Sequence, residues 1–294
     1  MPLRAKKPTV ENNRFRCLIY GTPGAGKSHF CCNFPKTYYI DTEELVKYKK
    51  YVDMLNDNDS VVAQMNELDE IINEVSLLLS EDHDYSTLVI DSISNVFNQA
   101  CDAEAVRLAA QSRGADPEGT EFGRNKIKPQ RKIMRLGNLL SRLDMNVIVT
   151  CHAKIKYVKG KEVGIDCDVF DKLKYLLGSS MEVSVIAKKR KGRMDDKSRY
   201  DELPPWEMFD LSYESIRDRF GEEMFVKKAT KEELITDEQI KELKLLFKAL
   251  SINDESINKG IAKAKSTTIN DLSKEKAQKW IDYLKQKNGE KNEI

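Results

Sequence analysis

The 294-residue sequence is short of net charge, of histidine and of long apolar runs, and each shortage removes a class of function. Lys and Arg total 49 against 48 Asp and Glu, a formal charge of +1, so bulk charge does not make this a nucleic-acid coat protein. No apolar stretch reaches the roughly 18 residues that suggest a membrane span. The start, MPLRAKKPTV, is basic but lacks the apolar stretch of a signal peptide, so the expected location is the cytoplasm. The cysteines (Cys17, Cys31, Cys32, Cys101, Cys151, Cys167) form no C-x-x-C pair, and His29, His83 and His152 fit no zinc-finger spacing. Free thiols in a reducing compartment are expected, several of them inside apolar runs where cysteine acts as a small hydrophobe.

What is present is a chain long enough for a buried core, with 40% hydrophobic residues and a mean hydropathy of −0.56. Residues 1–13 are polar and aperiodic and read as a flexible arm. The segments 15–20 (FRCLIY), 38–40, 88–90, 146–150 (NVIVT) and 181–187 (MEVSVIA) read as strands. Helices are expected at 27–33, 93–110 and 133–143, and Val61, Met65, Leu68, Ile72, Val75 and Leu79 recur at helical spacing. Residues 111–130, carrying Gly114, Pro117, Gly119, Gly123 and Pro129, read as a long loop, and 153–168 as a second. Strands alternating with helices imply an α/β core over 14–232, its mostly parallel sheet flanked by helices. From about residue 234 the chain turns Lys/Glu-rich and helical. Thr236 with Gln239 forms a capping box, and 233–294 read as a small helical C-terminal domain.

The segment Gly21-Thr22-Pro23-Gly24-Ala25-Gly26-Lys27-Ser28 matches G-x-x-x-x-G-K-[ST], the P-loop pattern. Its glycines let successive backbone N–H groups point inward as an anion nest, and the following helix offers its positive end to phosphates. In that role Lys27 reaches the β- and γ-phosphates of ATP and the Ser28 hydroxyl ligates Mg²⁺. Asp91, closing the apolar run TLVID, fits the Walker B carboxylate of the magnesium shell. Many ATPases carry a Glu directly after that Asp, but here the position is Ser92. Glu43, just past a strand expected to neighbour the Walker B strand, is therefore the candidate base for the attacking water, with Asp41 and Glu44 as competing acids. If strand 146–150 lies between the P-loop and Walker B strands, His152 faces the γ-phosphate and can report the nucleotide state.

Two basic segments flank this core. Arg124, Lys126, Lys128, Arg131, Lys132, Arg135 and Arg142 occur within 122–143 with no acidic residue among them. Lys154, Lys156, Lys159 and Lys161 follow His152, with Tyr157 interleaved. Phosphate-tracking cations beside a stackable aromatic suit single-stranded DNA, with Arg124, Lys126, Lys128 and the four lysines as contacts.

The order YGTPGAGKS, YIDTEE, TLVIDS, NVIVTCHAK resembles the RecA-like core, and more narrowly the phage-encoded RecA-like single-strand annealing ATPases of the Sak type. The similarity covers roughly residues 14–210. It implies a catalytic Glu in an IDAE-type segment, matched by Glu43, a polar sensor at His152, and mobile DNA-binding loops within 111–130 and 153–168. It also implies basic residues on a late strand that touch a neighbouring subunit's ATP, for which Lys188, Lys189 and Arg190 are candidates. The function implied is an ATP-dependent, ssDNA-binding recombination ATPase with Mg²⁺, assembling head to tail and acting beside a single-strand-binding protein in a host cytoplasm. The Thr22-Pro23 pair is more typical of AAA+ and related NTPases, so an AAA+-like helicase loader or remodeller is one alternative. A nucleotide-sensing module with little turnover is the other.

Overall fold

The computed structural model describes Lys7 and residues 14–292 apart from 113, 115, 117, 197 and 265. The arm expected over 1–13 lies, Lys7 excepted, outside the described residues. The first half of the chain runs β1 (Arg16–Gly21), α1 (Lys27–Cys31), β2 (Thr37–Asp41), α2 (Lys49–Asp57), β3 (Val61–Gln64), α3 (Leu68–Ser80), β4 (Thr87–Asp91), α4 (Ile93–Gln111) and α5 (Arg124–Arg142). There follow β5 (Asn146–Val158), β6 (Lys161–Cys167), α6 (Lys172–Leu177), β7 (Ser180–Ile186), β8 (Lys189–Met194), β9 (Met208–Asp210), α7 (Tyr213–Phe220) and α8 (Glu223–Val226). Three helices close the chain: α9 (Asp237–Ala249), α10 (Asp254–Lys263) and α11 (Lys274–Asn292).

The nine strands form one sheet in the order β3-β2-β4-β5-β1-β7-β8-β9, with β6 pairing the outer part of β5. The pairs from β3 to β7 are parallel, and those of β7–β8, β8–β9 and β5–β6 are antiparallel. Central strands are apolar on both sides because helices cover both faces of a parallel sheet, and all five residues of β4 are buried. Side chains alternate across the sheet with period two. Leu18, Leu88, Ile90, Val147 and Val149 therefore join one core with α3, α4 and α5, while Cys17, Ile19, Val89 and Ile148 join another with α1. All six cysteines are buried and unpaired. A third cluster, built on Leu243, Phe247, Leu272, Ile281 and Leu284, sits among α9–α11, and α9 starts at the Thr236–Gln239 capping box.

Four segments differ from the sequence reading. The periodic stretch 61–79 is two elements: the β-branched pair Val61-Val62 joins the edge of β2 as a strand, and the helix starts only at Leu68. The loop expected over 111–130 shortens to 112–123, since α5 begins at Arg124 and holds Pro129 within it. Pro129 gives up one helical hydrogen bond there, offset by burial of its ring. The expected loop 153–168 is a β-ribbon: β5 continues past the sheet and returns as β6 through Lys159-Gly160, with φ of 51° and 77°, the signs of a tight hairpin turn. The basic stretch after β7 is itself strand β8, reached through Ala187 and Lys188 at positive φ. Among the described residues no helix is long and apolar enough to cross a membrane.

Candidate active site

The P-loop joins β1 to α1 at the carboxyl edge of the sheet, where ligands of open α/β sheets bind. Its conformation depends on glycine. A Cβ on Gly21 would stand 2.3 Å from the Val183 carbonyl oxygen, and Gly26 has φ +105°. Lys27 is buried, and its Nζ donates to the carbonyl oxygens of Gly21 (2.9 Å) and Thr22 (3.3 Å), tying the loop's ends together. A glycine-bearing loop of backbone amides, followed by Lys27 and the Ser28 hydroxyl, fits a nucleotide polyphosphate. Ser28 and the Asp91 carboxylate supply the oxygen donors that suit Mg²⁺.

Sheet order places the remaining candidates. β5 lies between β1 and β4, and its register sets Gly21 beside His152. β2 lies on the other side of β4 with Asp41 beside Asp91. The buried Asp91 accepts hydrogen bonds from Tyr39 Oη (2.5 Å) and from Thr150 Oγ1, so its carboxylate is fixed by the two flanking strands.

Glu43 is the most connected acid at this edge. His152 Nε2 donates to Glu43 Oε1 at 2.8 Å, Ser92 Oγ donates to the same oxygen at 2.5 Å, and Asn95 Nδ2 at 3.1 Å. The His152 hydrogen bond, with Ser92 and the charge of Lys27 assisting against burial, holds the Glu43 carboxyl below its ordinary range. The same contact raises His152 above its ordinary value against the opposing effect of burial. Glu43 is thus kept ionised, the state a general base requires. A cavity of about 410 Å³ opens in front of it, lined by Thr42, Asn66, Gln99 and His152 among others.

The competing acids are differently placed. Asp41 is buried and accepts the backbone N–H groups of Glu43 (3.0 Å) and Val46 (3.2 Å), shaping the turn that presents Glu43. Glu44 pairs with Lys47 in solvent. Tyr39, Asn95 and Thr150 did not stand out in the sequence. Each lies inside an element, Tyr39 in β2, Asn95 in α4 and Thr150 in β5, where a single polar side chain gives no signal along the chain. Ser92 stands where many ATPases carry Glu, and here its hydroxyl holds the Glu delivered by β2 instead.

His152 also roots the β5–β6 ribbon. Its backbone N–H donates to Ser94 Oγ (2.9 Å), and its carbonyl accepts from Asp168 N (2.8 Å), just past the ribbon's return strand. Lys154, Lys156, Lys159 and Lys161 are exposed along this ribbon, with Tyr157 61% exposed beside them. Arg124 and Lys126 are exposed at the start of α5, whereas Lys128 lies 3.6 Å from Glu104. Lys188 and Lys189 lie exposed at the β7–β8 turn. Arg190 lies against its own P-loop: a Cβ on Gly26 would meet its Cδ and Nε at 2.5 Å. Burial, and then the charge of Arg190, hold His29 below its ordinary value.

With this geometry in place, the profile of the AAA domain family matches residues 13–203, most of the chain. The chain belongs to the AAA domain family and is a P-loop NTPase by fold and motif. No curated protein sequence matches it.

Proposed function

We propose that the protein is an ATP-hydrolysing, single-stranded-DNA-binding recombination ATPase of the RecA-like annealing kind, assembled head to tail and resembling the phage proteins of the Sak type. The observation that carries this reading is the 2.8 Å contact between Glu43 and His152, because His152 stands at the root of the lysine ribbon. In hydrolysis Glu43 takes the proton of the water that attacks the terminal phosphate while the bond to ADP breaks. His152, Ser92 and Asn95 orient its carboxylate, and Lys27 exchanges its loop carbonyls for phosphate oxygens. Bound Mg²⁺, which Ser28 and Asp91 would hold, supplies neutralisation of phosphate charge. A terminal phosphate beside Glu43 competes for His152, and His152 passes that difference to Asp168 and the ribbon.

A head-to-tail contact generates rings or filaments, and in this reading the exposed Lys188 and Lys189 at the β7–β8 turn serve that contact. Arg190 serves its own subunit's loop in this reading. A gel-shift assay with single-stranded DNA and a non-hydrolysable ATP analogue tests the proposal: binding is expected, and its absence would sink the recombinase reading. The AAA domain match supports a second reading, a remodelling ATPase with a protein client. Turnover stimulated by single-stranded DNA separates the two, since only the first requires it.

A further inference from the structure

Helices α10 and α11, with Leu250 and Ile252 before them and Leu272 between them, border a groove of about 980 Å³ that shares no residue with the P-loop or the ribbon. Its walls carry Lys259 and Lys263 from α10 and Lys276, Lys279 and Lys287 from α11, and no acidic side chain lines it among the described residues. The spacing explains the arrangement. Positions 259 and 263 are one turn apart on α10, and 276, 280, 283 and 287 recur at three and four on α11. The floor is apolar, with Ile252, Leu272 and Leu284. Trp280 packs on Phe247 with ring centroids 5.0 Å apart, and its ring lies 2.5 Å from where a Cβ on Gly260 would stand. Glycine at 260 thus lets α10 approach α11 closely. Tyr283 is 51% exposed, with the Lys287 ammonium 5.3 Å from its ring centre.

Two of the groove's lysines, Lys259 and Lys279, are held in exposed pairs. Lys259–Glu255 and Lys279–Glu275 are i,i+4 pairs with every partner at least 70% exposed, and such pairs yield readily to a phosphate. Lys276 donates to the Ala264 carbonyl at 2.9 Å, which braces the groove.

We propose that this groove is a second binding site for single-stranded nucleic acid, one that works without nucleotide at the P-loop. Lysines on both walls take the backbone phosphates, while Tyr283 and the apolar floor take unstacked bases. A duplex hides its bases from such a floor, and an acidic peptide leaves the aromatic face without a stacking partner. The site stands whether or not the ribbon binds DNA.

The test uses full-length protein and labelled oligo-dT without nucleotide. The unaltered protein is expected to bind, and Lys263→Glu/Lys279→Glu to weaken that binding by about tenfold, lowering the salt slope by about 1.4 for two lost phosphate contacts. Tyr283→Ala is expected to weaken it by about fivefold or more. Both variants should hydrolyse ATP and melt like the unaltered chain; if the charge reversal fails to fold, Lys263→Gln/Lys279→Gln is read in the same way. Alanine at all four ribbon lysines should leave nucleotide-free binding intact. The proposal is overturned by absent binding without nucleotide, by groove variants that bind normally, by dextran sulfate or duplex DNA bound as tightly as oligo-dT, or by ribbon substitutions that abolish the nucleotide-free binding. The last result would leave the ribbon reading standing.

Discussion

Helix α5 ties most of its cations to carboxylates of neighbouring elements, whereas the β5–β6 ribbon holds its lysines in solvent. On α5, Lys132 pairs with Asp69 at 2.6 Å, Arg142 with Glu232 at 2.9 Å, and Lys128 with Glu104 at 3.6 Å. Arg135 forms a forked pair with Asp271, whose side chain is only 3% exposed, at 2.8 and 2.9 Å. Arg142 also donates to the Asp271 carbonyl, and Asn138 to Thr267 Oγ1 at 2.8 Å. The C-terminal helices are therefore clamped to the core by the same helix that looks, as a string of letters, like a DNA-binding arm. None of the four ribbon lysines has a described ion pair. A cation's neighbours in space, more than its density along the chain, decide whether it is available to a partner.

This contrast can be broken at either end. Reversing all four ribbon lysines to Glu is the larger perturbation: the tightening of single-stranded-DNA binding by a non-hydrolysable ATP analogue should disappear, a loss of at least about tenfold, the salt slope in that state should fall by about 3, and the melting temperature should hold. Unchanged affinity would return the ribbon to an ordinary solvated surface. Arg135→Ala should do the reverse, leaving nucleotide binding in place while urea unfolding shows a loss of about 3 kcal/mol, since the buried Asp271 loses its partner. A loss below about 0.5 kcal/mol would mean that the clamp is decorative. Arg124→Ala/Lys126→Ala should lower DNA affinity by only about threefold to tenfold, and Lys128→Ala by less, because Glu104 engages it.

The smallest effect concerns pH. His152 lies above its ordinary 6.5 and Glu43 below its ordinary 4.5. The stability from their pair is therefore complete between those two values. It is lost as pH rises through the raised value of His152, and lost as pH falls through the lowered value of Glu43. With both side chains over a third exposed, the contribution stays below about 1 kcal/mol. Melts at about pH 6 and about pH 9 should show a difference that His152→Gln removes; an equal difference in the variant would assign it to other groups.

Much of the site was legible because its parts follow local rules. The P-loop is a contiguous pattern, and Asp91 and Glu43 each sit just past a short apolar run. The adjacency of β1, β5 and β4 was the condition on which the role of His152 rested, and the sheet order meets it. Less legible were features that depend on partners distant in sequence. Val61-Val62 becomes a strand only because β2 offers a free edge, and residues 153–168 become a ribbon only by pairing with each other. The pairing of α5 with Asp271 spans 136 residues, so no window along the chain contains it. The close approach of Arg190 to Gly26 is hidden for the same reason.

The central claim is that the state of the P-loop reaches the ribbon through Glu43 and His152. Affinity for single-stranded DNA, measured with a non-hydrolysable ATP analogue and with ADP in the unaltered protein and in His152→Gln, tests it most directly. The account predicts that the unaltered protein binds at least about tenfold more tightly with the analogue, a coupling of about 1.4 kcal/mol, and that His152→Gln binds nucleotide normally but treats both states alike. Equal affinity in the two states, or full discrimination retained by His152→Gln, would contradict it.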